Sequence, residues 1–365
     1  MKLPVAVQLW CHCFLSRPCN YEKMSKTGIV LMNLGSPDST KVKDVKRYLN
    51  EFLMDERVID KPYLSRLLLV KGIITPFRAP KSAEAYKSIW WEEGSPLIVL
   101  TEQLRDAVQA RTEMPVEISM RYGNPSPDAA YRKLLQRQPD LEQVILLPLY
   151  PHYAMSSYET AVEHMKTAHK KGDYKFKLKV VPPFYNHPAY INALVESITP
   201  YLNTDFDQLL FSYHGIPVRH LLKSDPTKKH CDQVENCCYK ASESHPTCYR
   251  HQVTMTSEIV AKKLGLQKEQ WQLSYQSRLG KRDPWLTPNT QVRLPEMPGE
   301  GVKKLIIVCP AFISDCLETL EEIEIEGKEL FLHNGGETYT YIPCLNTSEL
   351  WVEAAMQLVQ ETIDA

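Results

Sequence analysis

His214, a run of carboxylates at Asp315, Glu318, Glu322 and Glu326, and four closely spaced thiols at Cys231, Cys237, Cys238 and Cys248 are the groups of this 365-residue sequence best suited to chemistry. His214 lies in SYHGIP, directly after the apolar run LLF. A histidine at a strand end before Gly-x-Pro sits at the mouth of an open sheet, where ligands bind and an imidazole can exchange a proton near neutral pH. The alternative is a structural histidine bonded to its own loop. The carboxylates follow the strand LIIVC and the Pro310 turn. Steps of three and four put them on one helical face, where their repulsion is relieved by a visiting metal cation. A solvated acidic face is the bland alternative. Leu317, Leu320, Ile323 and Ile325 leave no single apolar stripe, so this helix is read as buried on several sides, with an irregular or π-type turn open.

The four thiols lie in HCDQVENCCYKASESHPTCYRHQ at 230–252. Their number satisfies a [2Fe-2S] cluster or a structural Zn²⁺. Spacing alone does not choose between them, although adjacent Cys237 and Cys238 are awkward ligands for one tetrahedral zinc and favour the cluster. Two loops complete the candidates. QSRLGKRDPWLTP at 276–288 sets Trp285 beside basic residues, and Phe77-Arg78-Ala79-Pro80-Lys81 with Tyr86 precedes Gly94-Ser95-Pro96. Arg78 and Ser95 could hold carboxylates while Tyr86 packs on a flat ligand. Tyr63 to Phe77 is apolar for a surface segment and could form a lip that admits a greasy substrate or rests on a membrane.

These groups need a framework, and the sequence describes one. Short apolar runs alternate with longer amphipathic stretches, the pattern of parallel sheets flanked by helices. Strands are expected at 28–35, 116–123, 143–150, 177–184, 208–215, 271–277 and 304–312, and a turn and helix at 36–53. LLPLYPHYAMSSYETAVEHM at 146–165 lies on LIIVCPAFISDCLETLEEIE at 305–324 without a gap, matching Pro151 with Pro310 and Glu159-Thr160 with Glu318-Thr319. The reading is an internal duplication: two similar α/β domains with a cleft between them. The boundaries are 24–185 and 186–346, the second carrying the cysteine segment 231–248, with an amphipathic C-terminal helix at 347–365 able to pack on either domain. Residues 1–23, with Cys11, Cys13 and Cys19, form a leader of unknown role that resembles a signal peptide poorly; Met24 is an alternative start.

Composition narrows the classes. With 43% hydrophobic and 24% charged residues the chain can bury a sizeable core. The 43 Lys+Arg against 44 Asp+Glu leave a net charge of -1, which argues against a nucleic-acid binder. Lys71 breaks the longest apolar run, so a membrane span is not expected.

Taken in order, GIVLMNLGSP, FRAPKSAEAY, EEGSPL, MRYGNP, LYPHY, FSYHGIP, YQSRLG…PWL and AFISDCLETLEEIEIE resemble the ferrochelatase family over residues 28–326. The resemblance implies two Rossmann-like domains around an active-site cleft and insertion of Fe²⁺ into protoporphyrin IX, with release of two protons. By position it implies His214 as the catalytic histidine and Glu318 as the essential carboxylate opposite it. Glu322, Glu326 and Asp315 complete an acidic ladder for iron, which His214 also touches. Trp285 packs near the macrocycle, Arg78, Ser95 and Tyr86 form the porphyrin lip, and Asn33, Leu34, Arg121 and Tyr150 line the pocket. Cys316 stands where the family's ladder has a histidine, so a soft thiolate is expected to replace an imidazole. Met155 stands where the family's better-known cluster pattern has a cysteine, and the internal four-cysteine segment instead resembles a bacterial subgroup with a [2Fe-2S] cluster there.

Metal insertion requires removal of two pyrrole protons and nitrogen lone pairs tilted toward the metal, so the site must supply a base and bend the ring. His214 is read as that base, with Glu318 and Glu322 passing protons or guiding iron; the two roles can be exchanged. The partners expected are porphyrin and Fe²⁺, without nucleic acid. The chain is expected in the cytoplasm, with peripheral contact on the inner membrane face, and monomer against homodimer, left open. The rivals are a cobalt chelatase of the same fold and a non-catalytic porphyrin-binding protein.

Overall fold

The structure is a computed structural model that describes residues 26–280 and 283–365; the leader, its cysteines and Met24 lie outside the described residues. Among those described, eight strands form two four-stranded sheets. β1 (Thr27–Asn33), β2 (Val116–Met120), β3 (Gln143–Pro148) and β4 (Lys177–Val180) make the first, in the order β2-β1-β3-β4. β5 (Gln208–His214), β6 (Trp271–Gln276), β7 (Lys304–Val308) and β8 (Thr338–Ile342) make the second, in the order β6-β5-β7-β8. All pairings are parallel. The order and direction are the same in both sheets, and β3 and β7, which the gapless overlay set against each other, hold the same place.

Each central strand is covered on both faces, which is why TGIVLMN and QLLFSYH read as nearly continuous apolar runs. β8 was not anticipated. Its sequence TYTYI has low hydropathy, yet Thr and Tyr favour the extended state, and the strand lies at a sheet edge with Thr338 exposed and Thr340 and Tyr341 half-buried.

The C-terminal helix, Glu349–Asp364, returns to the first sheet and packs on β3, β4 and the Pro188–Ile198 helix. Trp351, fully buried, stacks on Phe184 at 5.6 Å and meets Tyr190 edge-on. Lys179 Nζ donates to the carbonyls of Thr362 and Ile363 at 3.2 and 3.1 Å, a cation capping a helix C-terminus. Buried side chains of both sheets merge here into one apolar cluster.

Between β1 and β2 the chain builds the apolar lip: a short helix, Tyr63–Leu67, a π-helical stretch, Leu68–Ile74, and the helix Thr75–Ile89. Tyr63, Leu64, Leu68, Ile73 and Phe77 point into solvent, Phe77 with 81% of its surface exposed. Among the described residues no helix is long and apolar enough to cross a membrane.

Candidate active site

The C-terminal ends of the central strands open onto a cleft of about 420 Å³, in the range of small-molecule sites. Asn33 and Leu34 enter it from the end of β1, Tyr150 and His152 from the loop after β3, His214 from the end of β5, and Cys316 and Glu318 from the segment after β7. Arg78 and Leu69 reach it from the lip, and Trp285 from the 277–289 loop.

His214 is the last residue of β5. Its Nδ1 lies 2.7 Å from the Gly215 carbonyl. A carbonyl only accepts, so Nδ1 carries the proton and Nε2 keeps a bare lone pair. Burial pulls the ring below its usual pKa, against the opposing pull of the Glu318 carboxylate. The ring is therefore neutral at neutral pH and able to accept a proton. Gly215 must be glycine, because a Cβ there would meet the Gln276 carbonyl at 2.9 Å and the Trp285 ring at 3.3 Å.

The acidic segment is a π-helix, Leu320–Gly327, entered through the short helix Leu317–Thr319. The wider turn explains why no apolar stripe of 3.6-residue period could be traced through it. Glu318 faces the cleft. Glu322 lies behind it and accepts a hydrogen bond from Ser277 Oγ. Burial and the Glu318 charge push Glu322 up to about 8, so it holds a proton at neutral pH. Farther out, burial and Glu326 push Glu321 up to about 7, and Glu326 itself is exposed. Carboxylates thus run from the cleft to solvent.

Asp315 is placed differently. One of its oxygens accepts from Tyr341 Oη, from Thr319 Oγ1 at 3.0 Å and from the Cys344 amide, and the other from Asn346 Nδ2 at 2.7 Å. It anchors the loop rather than the ladder. The thiolate expected at Cys316 is also not what the surroundings favour: burial, then the Glu318 charge, hold this thiol protonated well above its usual range.

The remaining expected residues divide. Asn33, Leu34, Arg78, Tyr150 and Trp285 line the cleft with His214 and Glu318. Tyr150 Oη, His152 Nδ1 and Trp285 Nε1 are buried there without a hydrogen-bond partner among the described residues, polar atoms that a ligand can satisfy. Tyr86 is buried edge-on against Tyr48 and Trp90, and Ser95 is the buried N-cap residue of the Pro96–Gln109 helix. Arg121 pairs with Asp55, donates to Thr160 Oγ1 at 2.7 Å and covers the Tyr122 ring. These three hold the first half of the chain together.

One functional contact was beyond sequence reasoning. Arg219 joins Asp60 at 2.8 Å to Asp283 at 2.9 Å, tying the turn just before the lip to the Val218–Ser224 helix and to the Trp285 loop. Burial raises the Asp60 carboxyl, but hydrogen bonds from Arg219 and Lys223 win and hold it well below the usual range. Nothing in the sequence joins positions 60, 219 and 283.

The cysteine segment folds as a compact excursion between β5 and β6. Asp225 organises it, accepting from the His230 and Cys231 amides at 2.9 Å and from Ser244 Oγ at 2.6 Å. All four thiols are buried. Arg250 Nη2 lies 3.1 Å from Cys237 Sγ, and the His251 amide donates to Cys248 Sγ at 3.5 Å. Donors to two of the four sulfurs suit a group ligated by thiolates. Among the described residues no group of three or more His, Cys, Asp or Glu side chains is placed to hold a metal ion.

Comparison with known proteins agrees with this geometry. A family profile described as Ferrochelatase matches residues 26–363. The chain is 48% identical to the ferrochelatase of Stutzerimonas stutzeri (strain A1501) over 337 residues, 92% of this chain and 98% of that protein. It is 47% identical to the ferrochelatase of Ectopseudomonas mendocina (strain ymp), covering 94% of this chain and 100% of that one. Among solved structures, SirB from Bacillus subtilis with Fe³⁺ superposes with a TM-score of 0.52 at 12% identity, covering 93% of this chain and 96% of SirB. At that identity the likeness speaks for the fold alone.

Proposed function

The chain belongs to the ferrochelatase family, and from that premise we propose that it inserts Fe²⁺ into protoporphyrin IX with His214 as the proton acceptor and Glu318 as the facing carboxylate. The observation that carries the assignment of His214 is its neutral ring with a bare Nε2, set in the cleft beside Glu318. A flat macrocycle enters past the lip and lies between the loops of the two sheets, domains 24–185 and 186–346. Its two pyrrole N–H protons pass in turn to Nε2, which hands the first on before taking the second, while all four ring nitrogens bond to iron. Glu318 and the Glu321–Glu326 pair supply acceptors between the cleft and solvent, with protonated Glu322 as a station between them, and the ionised carboxylates are hard oxygen ligands that hold Fe²⁺ loosely enough to release it. Protonated Glu322 keeps one carboxylate rather than two beside the ring nitrogens. Tyr150 Oη and Trp285 Nε1 are donors positioned for polar groups of the substrate.

Cys231, Cys237, Cys238 and Cys248 are assigned a [2Fe-2S] cluster, which supplies one-electron redox chemistry when bound. Adjacent Cys237 and Cys238, awkward as two ligands of one tetrahedral zinc, favour the cluster, and the Arg250 and His251 donors suit thiolate ligands of either group. The exposed lip supports peripheral contact with a membrane surface, from which an apolar porphyrin could enter.

An anaerobic insertion assay with Fe²⁺ and protoporphyrin IX tests the function. The free-base visible spectrum should convert to that of haem; tight porphyrin binding without conversion would refute it. Purified protein should carry iron and inorganic sulfide in equal amounts with a visible chromophore lost in Cys237→Ser, and stoichiometric zinc instead would overturn the cluster.

A further inference from the structure

The peptide unit joining His214 to Gly215 is gripped at both polar atoms. Its N–H donates to the Gln276 carbonyl at 2.8 Å, and its carbonyl accepts from Tyr249 Oη at 2.8 Å. The first grip belongs to the sheet; the second comes from outside it. Tyr249 is the first residue of the Tyr249–Lys263 helix, whose N-cap is Cys248 of the four-cysteine segment. One and two turns farther along, the same helix holds the opposite side of the cleft floor. Gln252 Oε1 accepts from the Tyr153 amide at 2.7 Å, and Thr256 Oγ1 lies 2.9 Å from His152 Nε2. Positions 249, 252 and 256 share one helical face, so a single rigid element braces loops from both sheets.

We propose that Tyr249 is a positioning residue for His214, and that through it the four-cysteine segment sets the geometry of the proton acceptor. The inference rests on the reading of His214 given above. The chain of causes is short. The Gly215 carbonyl that receives His214 Nδ1–H belongs to the very next peptide. If the 214–215 peptide tips, that carbonyl turns away, Nδ1 loses its acceptor, and nothing keeps the lone pair on Nε2. Tyr249 is buried and packs edge-on against His152, so removing its hydroxyl alone leaves the packing in place while releasing the His214 carbonyl.

The test compares full-length Tyr249→Phe, the protein with 3-fluorotyrosine at 249, His214→Ala and wild type in anaerobic Fe²⁺ insertion, with thermal melts and porphyrin fluorescence titrations alongside. In Tyr249→Phe, kcat should fall about 10-fold, with the porphyrin KM and Kd within about twofold of wild type. 3-Fluorotyrosine keeps the ring and an O–H donor and should restore wild-type kcat. A Tyr249→Phe kcat equal to wild type beside an inactive His214→Ala would overturn the inference and leave the function standing. Equal losses from phenylalanine and fluorotyrosine would overturn it in favour of packing. Wild-type turnover by His214→Ala would remove the reading beneath it.

Discussion

Gln276 Nε2 donates to the backbone carbonyl of Glu318 at 2.7 Å, while the Gln276 backbone carbonyl receives the Gly215 amide. The last residue of β6 therefore fixes both the strand end that carries His214 and the turn that carries Glu318. Its Oε1 is held in turn by Ser212 Oγ at 2.8 Å, within a fully buried network that also contains Thr290 and Ser274. Gln276→Ala leaves the Ser212 hydroxyl and the Glu318 carbonyl without this partner, at a cost of about 2–4 kcal/mol. The melting temperature should fall by several degrees and kcat by about 10-fold or more, with porphyrin affinity little changed. A variant as stable and as active as wild type would show that the bridge does not set the spacing.

His214→Ala removes the only group assigned as first proton acceptor and leaves the apolar walls of the cleft intact. Insertion should drop by a factor of roughly 10²–10⁴. Quenching of porphyrin fluorescence on titration should still report binding. Wild-type-like turnover would move the acceptor role to the carboxylates.

The sheets were legible because buried parallel strands are written as continuous apolar runs, and His214 because a histidine between LLF and Gly-x-Pro marks a strand end. The ladder was legible in part. Spacing put Asp315 with Glu318 and Glu322, but spacing along a helix does not reveal that Tyr341 of β8 and Cys344 and Asn346 of the loop after it occupy the Asp315 oxygens. Arg121 escaped for the same reason, since Asp55 and Thr160 lie at positions no local pattern connects, whereas Ser95 before Pro96 carried the local signature of a helix N-cap. Gln276 and Tyr249 stood in view, in YQSRLG and beside Cys248, yet an amide and a phenol reveal a positioning role only when the backbone atoms they hold are known.

The lip exposes Leu64, Leu68 and Phe77 at 71%, 73% and 81%. Side chains already in water contribute little to folding, so Leu64→Ser, Leu68→Ser and Phe77→Ser combined should leave the melting temperature within about 2 °C. Cosedimentation with phospholipid vesicles should fall sharply. Undiminished binding to vesicles would exclude the lip as the membrane-contacting surface.

Glu322 gives a pH dependence whose sign can be worked out. Its carboxyl is pushed up to about 8 in the folded chain against an ordinary value of 4.5. Between those two values the unfolded state has released this proton and the folded state has not, so folding pays for keeping the group neutral and stability from this residue declines as pH rises. Below about 4.5 both states are protonated and the penalty vanishes; above about 8 it levels off. Glu322→Gln resembles the protonated form and still meets Ser277, so it should melt with wild type at pH 4 and several degrees above it at pH 9. Parallel melting curves across that range would mean that Glu322 is ionised in the folded enzyme. Two adjacent charged carboxylates would then face the site of metal insertion, and Glu322 would be an iron ligand in waiting rather than a station for protons.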